Sequence, residues 1–210
     1  MEGQLLALKS ATLAFGDRVL FRDLDLTLRA GQLVGLTGES GCGKTSLLRV
    51  ALGFVPLTSG TVEVCGLPLE VSHIQTIRRQ TTYVPQELQP PADVGRDLLQ
   101  LTLELEANRV RADEAALPPL MKSLALAPSL LEQPAATLSG GQRQRLLLIA
   151  ALALKKPLLL LDEPTSALDE DSSQRVALAL LRACHEEGRA ALVVSHDPVF
   201  LAFCDQVITL

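Results

Sequence analysis

The chain has 210 residues, 48% hydrophobic and 20% charged, which is a globular composition long enough to bury a sizeable core. Its 19 Lys and Arg against 24 Asp and Glu give a net charge of −5, which argues against a large nucleic-acid surface. No apolar run approaches the roughly 20 residues that span a bilayer, and the first residues contain no signal-peptide core. We therefore expect a cytoplasmic protein with one domain and no nucleic-acid partner.

Hydrophobic patterning predicts strands and helices that alternate near both ends of the chain. In the first part, strands are predicted over 5–15, 24–28, 32–37, 60–65 and 81–84, with a helix over about 43–52. In the last part, strands are predicted over 158–161, 190–195 and 207–210, with a helix over 172–187. This alternation indicates an α/β fold with a parallel sheet.

The middle of the chain is helical by its pattern. Helices are predicted over 93–107, 113–126 and 140–153, and Pro118 and Pro119 are expected to interrupt the second. We interpret this stretch, about 87–153, as an insertion. The core of a single domain, 1–210, would then be formed by about 1–86 and 154–210.

A predicted strand and a predicted helix flank a segment that fits the pattern GxxxxGK[ST]. Glycines let backbone N–H groups turn inward around an anion, and the following helix adds its positive N-terminus. The lysine supplies a charge for the β- and γ-phosphates, and the threonine supplies a hydroxyl for Mg²⁺. The sequence therefore predicts a nucleotide site formed by Gly38, Glu39, Ser40, Gly41, Cys42, Gly43, Lys44, Thr45 and Ser46.

Two adjacent acids, Asp162 and Glu163, follow directly on the apolar run 158–161. Open α/β sheets bind their ligands at the C-terminal ends of the strands. Asp162 can hold Mg²⁺ through water, and Glu163 can orient or deprotonate an attacking water. Considered without the rest of the sequence, the two acids could equally well mark the point where a strand leaves the core for a polar turn. Beside a phosphate loop, we interpret it as catalytic.

Leu138-Ser139-Gly140-Gly141-Gln142 resembles the signature of the ATP-binding-cassette (ABC) ATPases, and further motifs follow in that family's order. The resemblance matches Phe15 to the aromatic residue against adenine, Gln86 to the Q-loop glutamine, Asp169 to the D-loop and His196 to the switch histidine. It covers nearly the whole chain. It implies a P-loop NTPase with a RecA-like parallel sheet core, an N-terminal antiparallel β part and an inserted helical subdomain.

The signature residues also have a purely local interpretation. Ser139 and Gln142 fit S-x-x-Q, a capping box that begins a helix. A capped helix start with two exposed glycine N–H groups, at Gly140 and Gly141, can hold an anion. The resemblance implies that this anion is the γ-phosphate bound to a second copy, so that two chains close head to tail around two ATP molecules.

The resemblance implies the ATP-hydrolysing subunit of an ABC transporter, with ATP and Mg²⁺ as ligands. Its implied catalytic residues are Glu163, His196, Lys44 and Gln86, and its implied metal-binding residues are Thr45, Gln86 and Asp162. The chain would lie on the inner face of the cell membrane and drive a separate permease docked around 86–94. Compact cassettes of this kind also resemble the ATPase subunit of a bacterial iron exporter.

The sequence leaves two other classes of protein open. One is a soluble ABC ATPase that acts in an assembly or repair complex without a permease. The other is a generic P-loop kinase, which the 139–142 motif disfavours. Co-purification with a multi-span membrane protein would discriminate transport from the soluble alternative.

Overall fold

The computed structural model describes residues 3–86, 92–103 and 114–210. In these ranges nine strands form two sheets, which are joined by seven α-helices and three short 3-10 helices. Among the described helices, none combines the length and the apolar composition that crossing a bilayer requires.

The first sheet is antiparallel and has the strand order β2-β1-β4-β5. Its strands are β1 (Gln4–Phe15), β2 (Arg18–Arg29), β4 (Ser59–Val64) and β5 (Leu67–Pro68). Strand β2 is much longer than the strand predicted over 24–28. Polar residues at its exposed positions interrupt the apolar pattern, so the ends of β2 could not be recognised in the sequence. Phe15 and Arg18 therefore stand together at the tip of this hairpin.

The second sheet is parallel and has the order β6-β7-β8-β3-β9. Its strands are β3 (Leu33–Thr37), β6 (Thr81–Val84), β7 (Leu158–Asp162), β8 (Ala190–Val194) and β9 (Gln206–Thr209). Every residue of β7 and β8 is buried, as expected for parallel strands covered on both faces. The parallel core predicted from the alternation is confirmed.

Two apolar clusters cover the two faces of the parallel sheet. Leu158 and Leu160 of β7 belong to the cluster with the antiparallel sheet and α1 (Lys44–Ala51). Leu159 and Leu161 belong to the cluster with α3 (Gly95–Leu103), α5 (Gly140–Ala153) and α6 (Glu170–His185). The two-residue period of the strand thus divides its leucines between both cores.

The prediction that two prolines interrupt a helix was wrong. A 3-10 helix over Glu114–Ala116 leads into α4 (Leu117–Ser123), and Pro118 and Pro119 lie in its first turn. The first N–H groups of a helix have no intrahelical acceptor, so proline is tolerated there and its fixed φ favours the start. Two other short 3-10 helices, Pro128–Glu132 and Ala135–Thr137, connect α4 to α5.

The remaining predicted elements are present with ends shifted by a few residues. The helix expected over 93–107 is observed as α3, and its last four positions lie outside the described residues. One short strand and two short α-helices escaped prediction, namely β5, α2 (Ile74–Gln80) and α7 (Pro198–Leu201), as did the 3-10 helices over Pro128–Glu132 and Ala135–Thr137. Each has seven residues or fewer, which leaves too little periodicity to detect.

Candidate active site

Four neighbouring strands of the parallel sheet each lead into a predicted site segment at the same edge. In spatial order, β6 is followed by Gln86, β7 by Glu163, β8 by His196 and β3 by the phosphate loop. Parallel strands place their C-terminal ends on one edge, which is where ligands bind in open α/β sheets. The fold therefore assembles in space motifs that lie far apart in the sequence.

The phosphate loop connects the end of β3 to the first residue of α1, Lys44. Gly38 and Gly43 have φ angles of 144° and 113°, which side chains rarely adopt. A Cβ atom at Gly38 would lie 2.7 Å from the carbonyl oxygen of Leu210. Glycine is therefore required at both positions by backbone conformation, and at Gly38 by space as well.

Lys44 is the buried cation of this loop. Its side chain folds back so that Nζ donates hydrogen bonds of 2.8 Å to the carbonyl oxygens of Gly38 and Glu39. The residue is only 8% exposed. Its charge is thus held inside the curve of the loop, at the N-terminal end of α1.

Asp162 is a buried carboxylate, 2% exposed, at the last position of β7. Its Oδ1 atom is buried and has no hydrogen-bond partner among the described residues. Burial raises the pKa of Asp162, while a hydrogen bond from Thr45 and the charges of Arg49 and Lys44 oppose the shift. The site thus contains a buried carboxylate oxygen that no described residue satisfies.

Glu163 has a positive φ of 51°, in the left-handed region that non-glycine residues seldom occupy. Its N–H donates to the carbonyl oxygen of Val194 at 2.9 Å, and its Oε1 lies 3.5 Å from Nε2 of His196. Burial raises the pKa of Glu163, and the nearby His196 opposes that shift. A strained backbone and a perturbed carboxylate at a strand end are typical of functional positions.

A cavity of about 630 Å³ unites most of the predicted site. Its lining contains the predicted residues Phe15, Ser40, Gly41, Gly43, Lys44, Thr45, Ser46, Gln86, Asp162, Glu163 and His196. Phe15 belongs to this lining and is 55% exposed, so much of its side chain is accessible.

Three lining residues were missed by sequence reasoning: Arg18, Leu20 and Val194. Arg18 stands at the hairpin tip and donates through a guanidinium nitrogen to the carbonyl oxygen of Gly41 at 2.9 Å. Only the pairing of β1 with β2 brings it near the loop, so no local pattern could have found it.

The 139–142 motif does not line this cavity. It begins α5, where the predicted capping box is confirmed. The Ser139 hydroxyl accepts from the Gln142 N–H at 3.1 Å, and the Gln142 side chain accepts from the Ser139 N–H at 2.8 Å. Gly140 carries an exposed backbone at the helix start.

The other predicted residues outside the lining are Gly38, Glu39, Cys42 and Asp169. The first three belong to the phosphate loop, where the carbonyl oxygens of Gly38 and Glu39 accept from Lys44. Asp169 is exposed and begins α6, where its carboxylate accepts from the Ser172 N–H at 2.7 Å. This hydrogen bond lowers the pKa of Asp169, so the residue is ionised and caps the helix. Of the predicted docking groove at 86–94, positions 87–91 lie outside the described residues.

Comparison with known proteins identifies the family. The ABC transporter family profile matches residues 21–166. The chain belongs to the ABC transporter family. This ABC ATPase is 35% identical over 206 residues to the "Probable iron export ATP-binding protein FetA" of Escherichia coli (strain K12), covering 98% of this chain and 91% of that protein. It is 34% identical over 207 residues to the "Zinc import ATP-binding protein ZnuC" of Yersinia pestis, covering 98% and 76%.

The ABC fold is also seen in the structural comparison. The ATP-binding cassette MJ0796, solved as a dimer in a post-hydrolysis state bound to ADP and Pi, aligns with a TM-score of 0.83. That alignment has 24% sequence identity and covers 98% of this chain and 94% of the other. The expected P-loop fold, with antiparallel and parallel sheets, is therefore confirmed, and the chain is an ATP-binding and ATP-hydrolysing subunit of the ABC type.

Proposed function

We propose that the cavity at the parallel-sheet edge binds ATP with Mg²⁺ and hydrolyses it when a second copy closes over the γ-phosphate. The observation that carries the proposal is the convergence, in one cavity, of Lys44 with the buried Asp162 and the Glu163–His196 pair. Nothing but the fold brings these residues together, since they come from three separate stretches of the chain.

The phosphate loop is the proposed phosphate site. Backbone N–H groups near Gly41 and Gly43, the N-terminus of α1 and the Lys44 ammonium together present positive charge. Phe15 offers an accessible aromatic side chain for the adenine, and Arg18 adds a second cation near the loop. These residues bind and orient ATP.

The donor set at the strand end fits a Mg²⁺ ion. Oδ1 of Asp162, which has no hydrogen-bond partner among the described residues, is a hard oxygen ligand, and Thr45 and Gln86, which also carry side-chain oxygens, line the same cavity. We propose these three residues as its protein ligands, direct or through water. When bound, the ion neutralises developing charge on the phosphoryl oxygens.

Glu163 is the proposed general base. Its raised pKa makes it a stronger proton acceptor than an exposed glutamate, so it can take a proton from the attacking water. His196, 3.5 Å away, orients this carboxylate and can donate a hydrogen bond to the γ-phosphate. Gln86, which follows β6 at the same edge, lines the same cavity and is proposed to take part in catalysis there.

The 139–142 motif is proposed to complete the site of a second copy. Its exposed capped helix start lies outside the cavity of its own chain, so its anion-binding N–H groups are directed elsewhere. A head-to-tail pair places each motif over the other chain's ATP. Asp169, at the neighbouring start of α6, would lie at the same interface.

The partner proposed for the cassette is a membrane permease that docks around 86–94 on the cytoplasmic face. We propose that the chain divides into a core, about 1–86 and 154–210, and a helical insert, about 87–153; the described helices α3, α4 and α5 all fall within the insert. Relatives named for iron export and for zinc import are 35% and 34% identical to this chain, so identity alone does not separate the two cargoes. We propose iron export on the coverage of the FetA relative, 91% of its length.

Phosphate release by the purified chain and its permease tests the proposal. Wild type should hydrolyse ATP only with Mg²⁺, Lys44→Ala should lose ATP binding, and Glu163→Gln should bind ATP without turnover. A Glu163→Gln variant with wild-type kcat would remove Glu163 from its role. Metal flux in proteoliposomes, iron against zinc, tests the cargo separately.

A further inference from the structure

We infer that Gln144 is a positioning residue that holds Glu163 in its reactive orientation and connects it to the 139–142 motif. The inference rests on the role proposed above for Glu163. Gln144 lies in the second turn of α5, just after that motif, and is half-buried.

The contact is made to the backbone of Glu163. Nε2 of Gln144 donates a hydrogen bond of 2.9 Å to the Glu163 carbonyl oxygen. Ser166, in the turn that follows, donates to the same oxygen through its N–H at 3.3 Å and its hydroxyl at 3.0 Å. Of these donors, Gln144 is the one that connects the Glu163 carbonyl oxygen to a different element, α5.

The backbone at Glu163 needs such restraint. Its φ of 51° is an unfavourable conformation that persists only where the surroundings hold it. The N–H side is held by Val194 of β8, and the carbonyl side by Gln144 and Ser166. With both flanking peptides fixed, the side chain leaves the backbone in one direction, towards His196.

Gln144 stabilises the fold little. Its other amide atom, Oε1, is buried and has no hydrogen-bond partner in the part of the chain that the structure describes. A buried acceptor without a partner is destabilising and offsets the gain from the hydrogen bond to Glu163. We therefore expect an apolar side chain of the same shape at position 144 to leave the stability of the fold unchanged. A loss of activity in such a variant would then report the positioning of Glu163.

The start of α5 also packs directly against the segment after Glu163. A Cβ atom added at Gly141 would lie 3.0 Å from the Ala167 carbonyl oxygen and 3.0 Å from the Leu168 side chain. There is thus no free space between the motif and this segment. When the nucleotide bound to the second copy contacts the 139–142 motif, a displacement of α5 would be transmitted to the Glu163 carbonyl oxygen through the Gln144 hydrogen bond.

The test uses Gln144→Met in the full chain with its permease. Methionine has nearly the length and helix propensity of glutamine but no donor. We expect kcat to fall about tenfold or more, since small misplacements of a reacting group have effects of this size. We expect KM for ATP within about twofold of wild type and an unchanged Tm. The matched control is Gln174→Met on the exposed face of α6, expected to keep wild-type kcat.

A pH profile gives a second readout that a structural role would not move. The carboxyl introduced by Gln144→Glu can donate to the Glu163 carbonyl only when protonated. The ratio of its kcat to that of wild type should therefore rise as the pH falls through the pKa of that carboxyl.

The outcomes separate this inference from the proposed function. A Gln144→Met kcat within twofold of wild type, or a loss matched by an equal loss of folded protein, overturns the positioning role. If Glu163→Gln keeps turnover, the proposed role of Glu163 fails first. If Glu163→Gln is inactive and Gln144→Met is fully active, only the inference about Gln144 is wrong.

Discussion

Replacing Asp162 with asparagine should stabilise the nucleotide-free protein at neutral pH while abolishing hydrolysis. Asp162 is 2% exposed, its Oδ1 has no hydrogen-bond partner among the described residues, and burial raises its pKa. The ionised carboxylate is therefore disfavoured by its surroundings in the free protein. An asparagine has nearly the same volume and carries no charge.

The size of the effect follows from that environment. A buried polar atom without a partner costs about 1–3 kcal/mol, and a charged one costs more. Asparagine keeps the oxygen but removes the charge, so we expect a gain of about 1 kcal/mol. In a chain of 210 residues this corresponds to a rise in Tm of about 2–4 °C.

The pH dependence has a definite sign. Because the folded pKa lies above the ordinary aspartate value of about 3.9, wild-type stability falls as the pH rises between these two values. The Tm of Asp162→Asn minus that of wild type should therefore be small near pH 4 and reach its full value above the folded pKa.

Thermal melts by circular dichroism from pH 4 to pH 8, without nucleotide or Mg²⁺, measure this difference. Phosphate release measured in parallel should fall to background in the variant. A variant that is less stable than wild type at pH 7, or a Tm difference independent of pH, would show that the Asp162 carboxylate does not destabilise the free protein.

Three further predictions concern the same cavity. Phe15→Ala should raise the Kd for ATP about 5- to 150-fold, from the ~1–3 kcal/mol of base stacking, whereas Phe15→Tyr should leave it unchanged in equilibrium binding. Arg18→Ala should weaken binding of ATP more than binding of adenosine, because the lost cation acts on the phosphates; equal effects in calorimetry would contradict this. The acid limb of the kcat profile should lie above the titration range of an exposed glutamate, because burial raises the pKa of Glu163, and Glu163→Gln should lack that limb.

Much of the candidate site could be predicted because its chemistry is local in sequence. The spacing of glycines, lysine and threonine predicted a phosphate loop, and an acidic pair after an apolar run predicted Asp162 and Glu163 as site residues; the structure brings Lys44, Asp162 and Glu163 to one cavity. Local order also predicted the capping box of Ser139 and Gln142, since both partners lie in one helical turn. These are the features for which the neighbours along the chain are also the neighbours in space.

The rest depends on contacts between distant segments. Arg18 reaches the loop only through the β1–β2 hairpin, and Gln144 reaches Glu163 only because α5 packs beside the end of β7. The positive φ of Glu163 has no signature in the sequence either. The prolines of α4 show a different failure, because a residue that breaks a helix interior also favours a helix start.

Catalysis is proposed to need two copies of the chain with ATP between them. Light scattering coupled to size-exclusion chromatography of Glu163→Gln, with and without ATP and Mg²⁺, measures this association. We expect twice the monomer mass with ATP and Mg²⁺, and monomer with ADP or after Ser139→Arg. A single monomer peak at saturating ATP, with the permease present as well as without it, would exclude the proposed dimer.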